Sequence, residues 1–599
     1  MAVYAVDFET SYTTDRDIKS LGQSEYLRHP ETDIYLVAIV GDGCHYVGPP
    51  ETAPWDEISG EHWVSHNASF DSACFMAAIE KAQIPETCRP EEWDCTANLC
   101  ALIGAPRSLS GASEQLFGEL MDKSVRDEMR NKNWQNLPPE KRAEVEAYAL
   151  NDAKACYRIW QEYHPYFTPF ELALSRHTME MTHRGVKIDL VRAEQDARTL
   201  AAALHEAQEA IPWAKLKDKK GKPLPILSKP QLDMACAQVG IPAPASTADK
   251  SEAFALWLEQ YGEIAPFVAA VKTYRSVNRT LEVVKKLRKQ VSPDGRLRYG
   301  LKYYGAHTGR FSGSQGLNFH NLTKKKVAGV DLRGLLIPEP GNKFVVADLK
   351  QIEAVVALWF AGDTEQLQLI EQGMDVYEVH ARRTMGYTDP RKLEEYVEAP
   401  DCPESDRNLR QFAKCRVLGL GFGLGYKKFV QIVKLWTGIT ITEAESKKLV
   451  RDFRLKNPGI TKCWEDLEML MRRHAAGAKA KEPFEIEVPG GSKLRYFDVN
   501  LSGGLRARDE MGGVMLHFYG GKLFENVVQH FARRILGESV LRIEGAGNPV
   551  VLHVHDEVIA EVPISVPKEV VRDLMIKRPD FCFDLPIRSS CKDAERYFK

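Results

Sequence analysis

The chain has 599 residues, of which 44% are hydrophobic, 9% aromatic and 27% charged, and this composition excludes the collagenous, fibrous and disordered classes. At about 150 residues per domain, the length predicts several domains. The net charge of -3 neither favours nor excludes a polyanionic partner. Twelve scattered cysteines without a CxxC pair argue against a disulfide scaffold and a structural zinc site. No apolar run is long enough to span a membrane and the N-terminal residues do not resemble a secretory leader, so we predict a cytoplasmic protein.

The N-terminal part of the chain shows the alternating strand and helix patterns of an α/β domain. MAVYAVDF and DIYLVAIVG predict strands, and HWVSHNASFDSACFMAAIEKA predicts a strand, a turn and a helix. Asp7 and Glu9 are two residues apart on the first strand, so their side chains face the same side of the sheet. Asp71 stands at the strand-to-helix turn. Tyr148 and Asp152 are four residues apart and share one helix face.

Four carboxylates that converge from separate elements repel one another at neutral pH unless cations lie between them. Two Mg²⁺ or Mn²⁺ ions about 4 Å apart are the usual solution, and such a site hydrolyses phosphodiesters. Each acid by itself is more often a surface charge or a helix cap. The prediction therefore depends on the whole set.

A helical segment follows over about residues 166–310, interrupted by the basic loop KLKDKKGKPLPILSKP. Positive charge gathers at its end and interleaves with tyrosine and glycine in YYGAHTGRFSG. A solvated helix face is the ordinary interpretation of a charge run, but this interleaving favours a groove that binds a nucleic-acid backbone. The cations are Lys272, Arg275, Arg279, Lys285, Lys286, Arg288, Lys289, Arg296, Arg298, Lys302, Arg310, Lys324, Lys325 and Lys326.

Two segments of the second half present acids for metal binding. KFVVADLKQIEAVVALWF predicts a short buried strand that ends at Asp348 and a helix that begins near Gln351. PVVLHVHDEVIAEVP predicts two strands around a tight turn at His555, Asp556 and Glu557. The turn by itself is a weak signal, because Asp is common in ordinary hairpin turns.

Between these segments, RQFAKCRVLGLGFGLG places Arg410, Lys414 and Leu418 on one helix stripe, with two cations in a line suited to a triphosphate. A dinucleotide-binding glycine loop is the rival interpretation, but the spacing is G-x-G-x-G and no strand precedes it. Acids for metal ions and cations for phosphate together indicate phosphoryl transfer.

DFET, NASFD and YxxxD, in this order, resemble the three motifs of the DEDD 3′-5′ exonucleases, in the subgroup whose last motif carries a tyrosine. The resemblance implies that Asp7, Glu9, Asp71 and Asp152 hold two metal ions. It implies further that Tyr148 helps to orient the attacking water.

The chain as a whole resembles family A DNA polymerases of the DNA polymerase I type. DLKQIE is similar to motif A, RQFAKCRVLGLGFG to motif B and VHDEV to motif C, and TGRFS and LNFHNL resemble the segment that contacts template and primer. This resemblance implies an α/β multidomain fold, with a ribonuclease H-like exonuclease domain followed by a right-hand polymerase. The implied domains are 1–165 for the exonuclease, 166–310 for a mostly helical thumb, 311–363 and 505–599 for two parts of the palm, and 364–504 for the fingers.

The same resemblance assigns roles in the polymerase half. Asp348 and Asp556 would ligate two catalytic metal ions, with Glu557 in support. Lys414 and Arg410 would clamp the triphosphate. The other implied nucleotide-binding residues are Gln351, Leu418, Phe422 and Glu353, of which the last would exclude ribonucleotides, and the implied DNA-binding residues are Arg310, Asn318, Asn321, Gln529 and His555.

Three departures from the family pattern surround the nucleotide site. Leu418 stands where an aromatic residue is usual and Phe422 where a tyrosine is usual, which removes a stacking surface and a hydroxyl. Gly421 and Gly425 add glycines to a predicted helix, at about 1 kcal/mol of helix stability each. Lys350 stands where motif A commonly has serine.

We therefore predict a template-directed DNA polymerase with 3′-5′ proofreading that uses two Mg²⁺ per active site, or Mn²⁺. The predicted partners are primer-template DNA and deoxynucleoside triphosphates, with no membrane and no identified accessory protein, and the predicted state is a monomer. With no 5′-nuclease segment ahead of the exonuclease motifs, the chain is more similar to a bacteriophage replicative enzyme than to a bacterial repair enzyme, and would act in the host cytoplasm. The alternatives are a 3′-5′ exonuclease with an impaired polymerase half and a non-catalytic nucleic-acid-binding protein.

Overall fold

The computed structural model describes residues 1–247, 252–314, 316–477, 482–509 and 514–598. Its contacts divide the chain into two compact units. Unit 1 comprises Met1–Gly185, Tyr299–His320 and Val345–Asp593, and unit 2 comprises Val186–Arg298, Asn321–Phe344 and Ala594–Lys599. Both units are therefore built from segments that are distant in the sequence.

The N-terminal part of unit 1 is a mixed sheet with surrounding helices. Its elements are β1 (Val3–Thr10), α1 (Ile18–Leu21), α2 (Gln23–Arg28), β2 (Ile34–Gly41), β3 (Cys44–Gly48), α3 (Trp55–Ile58), β4 (His62–Ser65), α4 (Ala68–Glu80), β5 (Glu92–Cys95), α5 (Thr96–Ile103), α6 (Leu109–Phe117), α7 (Ser124–Glu128), α8 (Pro139–Tyr163) and α9 (Pro169–Arg184). The strand order is β3-β2-β1-β4-β5, with β1 antiparallel to β2 and parallel to β4. β1 is therefore the central strand of the sheet.

The apolar runs of the sequence explain this sheet. Every residue of β2 is buried, as expected for a strand covered on both faces. The core beside this sheet contains aromatic rings in edge-to-face and tilted contacts, contributed by Trp55, Trp63, Phe75 and Trp93. α8 begins with a proline at its first position, where the missing N–H costs no hydrogen bond.

The middle of the chain contributes most of unit 2. Its elements are β6 (Val186–Ile188), α10 (Leu190–Glu209), α11 (Lys229–Gln238), α12 (Glu252–Tyr261), α13 (Pro266–Gln290), β7 (Arg296–Leu297), β8 (Gly300–Lys302), β9 (Ser312–Ser314) and β10 (Leu336–Ile337), of which the β8–β9 hairpin belongs to unit 1. α10 packs along α13, and β10, β6 and β7 form a small sheet. A separate apolar cluster around Trp213, Phe254, Trp257 and Phe267 holds the shorter helices.

The remaining part of unit 1 contains two further sheets and its longest helix. Its elements are β11 (Asn342–Leu349), α14 (Ile352–Phe360), α15 (Thr364–Glu371), α16 (Val376–Thr384), α17 (Leu393–Glu398), α18 (Leu409–Cys415), α19 (Tyr426–Thr437), α20 (Glu443–Lys456), α21 (Pro458–Ala476), β12 (Phe484–Glu487), β13 (Lys493–Asn500), β14 (Arg506–Asp509), β15 (Leu516–His517), α22 (Gly520–Gly545), β16 (Val550–Val554), β17 (Glu557–Pro563), α23 (Lys568–Ile576) and β18 (Ser589–Ala594). The strand orders are β16-β17-β11-β18 and β12-β13-β14-β15. These sheets and helices confirm the predicted α/β multidomain class.

A buried ion pair joins α22 to α9 inside unit 1. Arg533 of α22 donates to Glu171 of α9, and both side chains are almost completely buried. The hydroxyl of Tyr303 donates to the other oxygen of Glu171. A buried charge pair of this kind needs such additional hydrogen bonds, because each charge has lost its water. The N-terminal sheet region and the α22 region are therefore joined through groups that are far apart in the sequence.

Candidate active sites

Acidic side chains converge around the central strand β1. Asp7 and Glu9 lie two residues apart on β1, and Asp71 lies in the first turn of α4. The backbone amide of Phe8 donates a hydrogen bond of 3.2 Å to Asp71 Oδ1, which joins β1 to α4. The strand alternation that aligned Asp7 with Glu9 in the sequence thus places both beside Asp71.

Helix α8 completes this cluster. It packs against β1 and carries Tyr148 and Asp152 one turn apart, as their spacing predicts. All four acids and the tyrosine line one cavity of about 850 Å³. The structure therefore brings together all five residues that the sequence selected here.

The carboxyl groups of this cluster are held in an unfavourable environment for negative charge. Burial, with repulsion from Asp71 and Glu9, raises the pKa of Asp7 well above its usual range. Burial likewise raises the pKa of Glu9 to about 7, and that of Asp71 to about 8. Burial and the nearby carboxylates also raise the pKa of the Tyr148 hydroxyl, so it stays protonated.

The donor set fits divalent cations. Asp7 Oδ2 and Asp152 Oδ1 are buried and have no hydrogen-bond partner among the described residues. Buried carboxylate oxygens without partners are costly unless a proton or a cation neutralises them. Oxygen ligands of this kind are those that Mg²⁺ and Mn²⁺ prefer.

We expect the acid cluster to make the metal-free protein less stable as the pH rises. Glu9 and Asp71 hold protons in the folded state up to about pH 7 and 8, whereas in the unfolded chain they titrate near 4.5 and 3.8. The folded state therefore binds more protons in this window, so the free energy of unfolding falls as pH rises through it. In EDTA, the melting temperature of the wild type should fall as the pH is raised through this range. The fall should be smaller in Asp7→Asn. Added Mg²⁺ should remove the difference in slope between the two proteins, and equal slopes without metal would contradict this interpretation.

A lysine that the sequence patterns did not select also enters this cluster. Lys123 precedes α7, and its Nζ lies 2.7 Å from Asp152 Oδ2 and 3.2 Å from the Tyr148 hydroxyl oxygen. Lys123 is 29 residues from Asp152 in the sequence and belongs to no periodic pattern with it. No local signal could have identified it.

Two further predicted acids lie on neighbouring segments of the sheet that contains β11. Asp348 is the next-to-last residue of β11, and Asp556 lies in the turn between β16 and β17. The amide of Leu349 donates to the backbone carbonyl of Asp556 over 2.9 Å, so the two acids stand on adjacent chain segments. His555 adopts a φ of 58° in the turn, and Glu557 begins β17 and is buried. The predicted strand end and hairpin turn are confirmed, and carboxylates are ligands of the kind that divalent cations prefer.

Asp375 connects the segments that the sequence identified as motifs A and B. It caps α16 through Oδ1, while Oδ2 accepts from Gln351 Nε2 at 2.8 Å and from Arg410 Nη2 at 3.0 Å. The guanidinium of Arg410 also lies over the ring of Tyr377. Sequence reasoning missed Asp375, although an acid directly before a helix is the usual cap signal.

The helix of motif B is interrupted. Arg410 and Lys414 lie on α18, one turn apart as predicted. The chain then forms a π-helical turn over Arg416–Leu420, which widens the spacing before Leu418. Arg410 and Lys414 therefore share one face of α18, as predicted. Leu418 lies in the π-helical turn and does not continue that α-helical alignment.

The prediction that Gly421 and Gly425 lie inside this helix is wrong. The π-helical turn ends at Leu420 with Gly421 as its C-cap, and Gly425 is the extended N-cap residue directly before α19. Gly423 adopts a φ of 77°, which a residue with a side chain rarely takes. The glycines thus form a turn between two helices, and their low helix propensity has no cost there.

Glu353 has an arginine partner. It lies in the first turn of α14, and Arg310 Nη1 donates to its Oε1 over 3.3 Å. Arg310 Nη2 donates to Gln529 Oε1 over 2.8 Å. Burial raises the pKa of Glu353, and the arginine opposes that shift. Phe422, which offers no hydroxyl, packs near Phe524 instead.

The remaining predicted DNA-binding residues are distributed over both units. Asn318 lies in unit 1 beside the Gly313 backbone, and its Oδ1 is buried without a hydrogen-bond partner among the described residues. His555 is exposed, and its ring lies 5.8 Å from that of His320. Asn321 belongs to unit 2. Lys350 is exposed, and its amide donates to Arg588.

Among the described residues, a separate group of possible ligands has atoms close enough together to share one metal ion. The ligand atoms of His62, Glu92 and Asp94 lie within 4.8 Å of one another. Arg176 donates to both Glu92 and Asp94 over 2.6 to 2.9 Å. The arginine therefore neutralises this group, and we assign no metal to it.

In the part of the chain that the structure describes, no helix combines the length and apolar character needed to cross a membrane. The twelve cysteines are all free thiols.

Comparison with known proteins shows similarity to DNA polymerases. The family model of DNA polymerase family A matches residues 194–479. The chain is 26% identical to the DNA polymerase of Bacillus phage SP02, in an alignment that covers 94% of each protein. It is 25% identical to DNA polymerase I of Chloroflexus aurantiacus, over 69% of this chain and 41% of that protein. Its structure is similar to the POL domain of Pol1 from M. smegmatis in complex with DNA primer-template and dNTP, with a TM-score of 0.68, 19% identity, and coverage of 99% of this chain and 95% of that chain.

These matches confirm the predicted resemblance to DNA polymerase family A, and the fold is similar to that of a Pol1 polymerase domain. The family match begins after the N-terminal motifs, at residue 194.

Proposed function

We propose that this protein is a template-directed DNA polymerase that extends a primer 3′-OH and also removes nucleotides from the 3′ end. The observation that supports it most is the convergence of Asp7, Glu9, Asp71, Tyr148 and Asp152 on one cavity, in a chain whose Asp348 and Asp556 lie on hydrogen-bonded neighbouring segments. When bound, Mg²⁺ activates the attacking oxygen and neutralises charge at phosphorus in both clusters.

In the polymerase site, Asp348 and Asp556 hold two Mg²⁺, with Glu557 in support. Arg410 and Lys414 bind the triphosphate of the incoming deoxynucleotide, because their cations follow one side of α18. The 19%-identical Pol1 structure is described with DNA primer-template and dNTP, which supports the same substrates for this chain.

Glu353 limits the space beside the sugar, and Arg310 holds its carboxylate in place. Gln351, Leu418 and Phe422 complete the proposed nucleotide site. Asn318, Asn321, Gln529, His555 and Arg310 form the proposed DNA contacts.

In the exonuclease site, Asp7, Glu9, Asp71 and Asp152 hold two Mg²⁺. Tyr148 would help to orient the attacking water through its hydroxyl group, which its raised pKa keeps protonated. Mn²⁺ can replace Mg²⁺ in either site, because both ions take oxygen ligands.

The domain roles follow the family pattern. Residues 1–165 form the exonuclease domain, 166–310 the thumb, 311–363 and 505–599 the palm and 364–504 the fingers. The similarity to the phage SP02 DNA polymerase supports a role in phage genome replication. We propose that the protein does this in the host cytoplasm as a monomer. No accessory protein is proposed.

The alternative is a protein that acts mainly as a 3′-5′ exonuclease. The altered motif B favours it, because the helix ends at Leu420 and Leu418 and Phe422 lack the usual stacking surface and hydroxyl. A gel assay of a labelled primer on a longer template, with Mg²⁺ and with or without the four deoxynucleoside triphosphates, separates the two functions. Extension with the nucleotides and shortening without them supports the main proposal, whereas shortening under both conditions supports the alternative.

We expect Asp375→Asn to weaken nucleotide binding. The carboxylate of Asp375 orients Arg410 and Gln351, and a hydrogen bond to a charged group contributes about 1.5 to 3 kcal/mol. The KM for the deoxynucleotide should therefore rise about tenfold or more, with a smaller change in kcat. Steady-state single-nucleotide incorporation measures both constants.

Asp363→Asn is the matched control for this variant. Asp363 caps α15 through its carboxylate and pairs with Arg383, but contacts neither motif. Its KM should stay near the wild-type value. A similar rise in both variants would show that helix capping, and not the orientation of Arg410, is the cause.

A further inference from the structure

Lys123 reaches into the exonuclease cluster from outside the sequence motifs. Its Nζ donates to Asp152 Oδ2 at 2.7 Å and to the Tyr148 hydroxyl oxygen at 3.2 Å, and it lies 4.9 Å from the centre of the Tyr148 ring. Only a third of its side chain is exposed. The ammonium group therefore contacts two of the five cluster residues at once.

Each of the two hydrogen bonds from Lys123 involves one oxygen atom, on Asp152 and on Tyr148. Lys123 takes one oxygen of Asp152, while Oδ1 has no partner among the described residues and stays available for a cation. At Tyr148 the lysine donates to the hydroxyl oxygen, so the hydroxyl hydrogen points to another acceptor, and Asp152 is within hydrogen-bonding reach. Lys123, Tyr148 and Asp152 thus form one hydrogen-bonded group that fixes the orientation of the tyrosine and the carboxylate.

The backbone near Lys123 is fixed to the strand that carries Asp7 and Glu9. The Tyr12 hydroxyl donates to the Arg126 carbonyl over 2.7 Å, and the Asn131 amide donates to the Tyr12 carbonyl over 2.9 Å. The amide of Thr14 donates to Asn131 Oδ1 over 3.1 Å. The segment that presents Lys123 is therefore held against the residues that follow β1, and not only by the lysine itself.

We propose that Lys123 is a positioning residue of the exonuclease site, which holds the Tyr148 hydroxyl and the Asp152 carboxylate in the orientation that hydrolysis requires. This inference rests on the proposed 3′-5′ exonuclease function. It does not involve the polymerase site, because Lys123 contacts none of its residues.

The test uses the full-length protein and a 5′-labelled single-stranded DNA, with single-turnover shortening measured over a Mg²⁺ titration. Lys123→Ala should lower the maximal rate about 10- to 100-fold, with little change in the DNA concentration that gives half the maximal rate. Lys123→Arg should recover much of the rate, because a guanidinium can also donate to both oxygens. Primer extension should be unchanged in both variants, which shows that they fold.

Lys132→Ala is the matched control, since Lys132 is exposed on the same segment. Its shortening rate should equal that of the wild type. In a Tyr148→Phe protein, Lys123→Ala should lower the shortening rate by a smaller factor than it does in the wild type, because part of the effect of the lysine depends on the Tyr148 hydroxyl.

A wild-type shortening rate in Lys123→Ala would overturn the inference. A shortening rate above that of the wild type at low Mg²⁺ would also overturn it, because the lysine would then compete with the metal ion. These outcomes differ from failure of the proposed function itself. In that case the wild-type protein would not shorten DNA with either Mg²⁺ or Mn²⁺.

Discussion

Replacing Asp348 with asparagine is expected to slow primer extension about a thousandfold or more, while the same protein still shortens the primer. Asp348 ends β11 directly beside Asp556, so the substitution removes one of two charged ligands from the proposed metal site. A loss of about 4 kcal/mol in transition-state stabilisation corresponds to this factor. Rapid-quench measurement of one nucleotide addition on a primer-template gives the rate.

Asp573→Asn is the control for this experiment. Asp573 is an exposed acid on α23 that pairs with the adjacent Arg572. It should extend primers at the wild-type rate. Extension by Asp348→Asn within tenfold of the wild type would exclude Asp348 as a ligand of the polymerase site.

The second large effect is expected in the exonuclease half. Asp7→Asn should reduce 3′ shortening about a thousandfold or more and leave extension of a matched primer unchanged. The same change should raise the melting temperature of the metal-free protein, because it removes one of four neighbouring acids that repel one another. Single-turnover digestion and thermal melts in EDTA measure the two effects.

Asp56→Asn serves as the control in this half, since Asp56 is an exposed acid on α3. Neither its digestion rate nor its metal-free melting temperature should move. If Asp7→Asn lost activity but also melted at a lower temperature, the loss would reflect disrupted folding and not the removal of a metal ligand.

Local patterns in the sequence were sufficient for most of both acid clusters. Strand alternation aligned Asp7 with Glu9, and helical spacing aligned Tyr148 with Asp152. A buried apolar run placed Asp348 at the end of its strand. Each of these relations spans a few residues, so the period of the secondary structure determines it.

Contacts between distant segments could not be predicted in this way. Lys123 meets Asp152, and Asp375 meets Arg410, across 29 and 35 residues of sequence. Arg533 and Glu171 are separated by 362 residues. Such pairs depend on how the elements pack, which no periodicity records.

The glycines after motif B show a different limit. Family resemblance led to the prediction of a continuous helix, and their helix-breaking tendency was treated as a cost within it. The structure instead has a π-helical turn over Arg416–Leu420 and a turn centred on Gly423. Intrinsic propensity was the better guide at this position, since glycine disfavours the helix interior and adopts the positive φ that the turn at Gly423 requires.

The central claim is that one chain both extends and corrects a primer with two separate sites. A primer with a mismatched 3′ nucleotide, labelled at its 5′ end and annealed to a longer template, tests it directly when Mg²⁺ and all four deoxynucleoside triphosphates are present. The wild type should first shorten and then extend this primer, Asp348→Asn should only shorten it, and Asp7→Asn should leave it unshortened. Shortening that persists in Asp7→Asn, or extension that persists in Asp348→Asn, would contradict the assignment of the two sites.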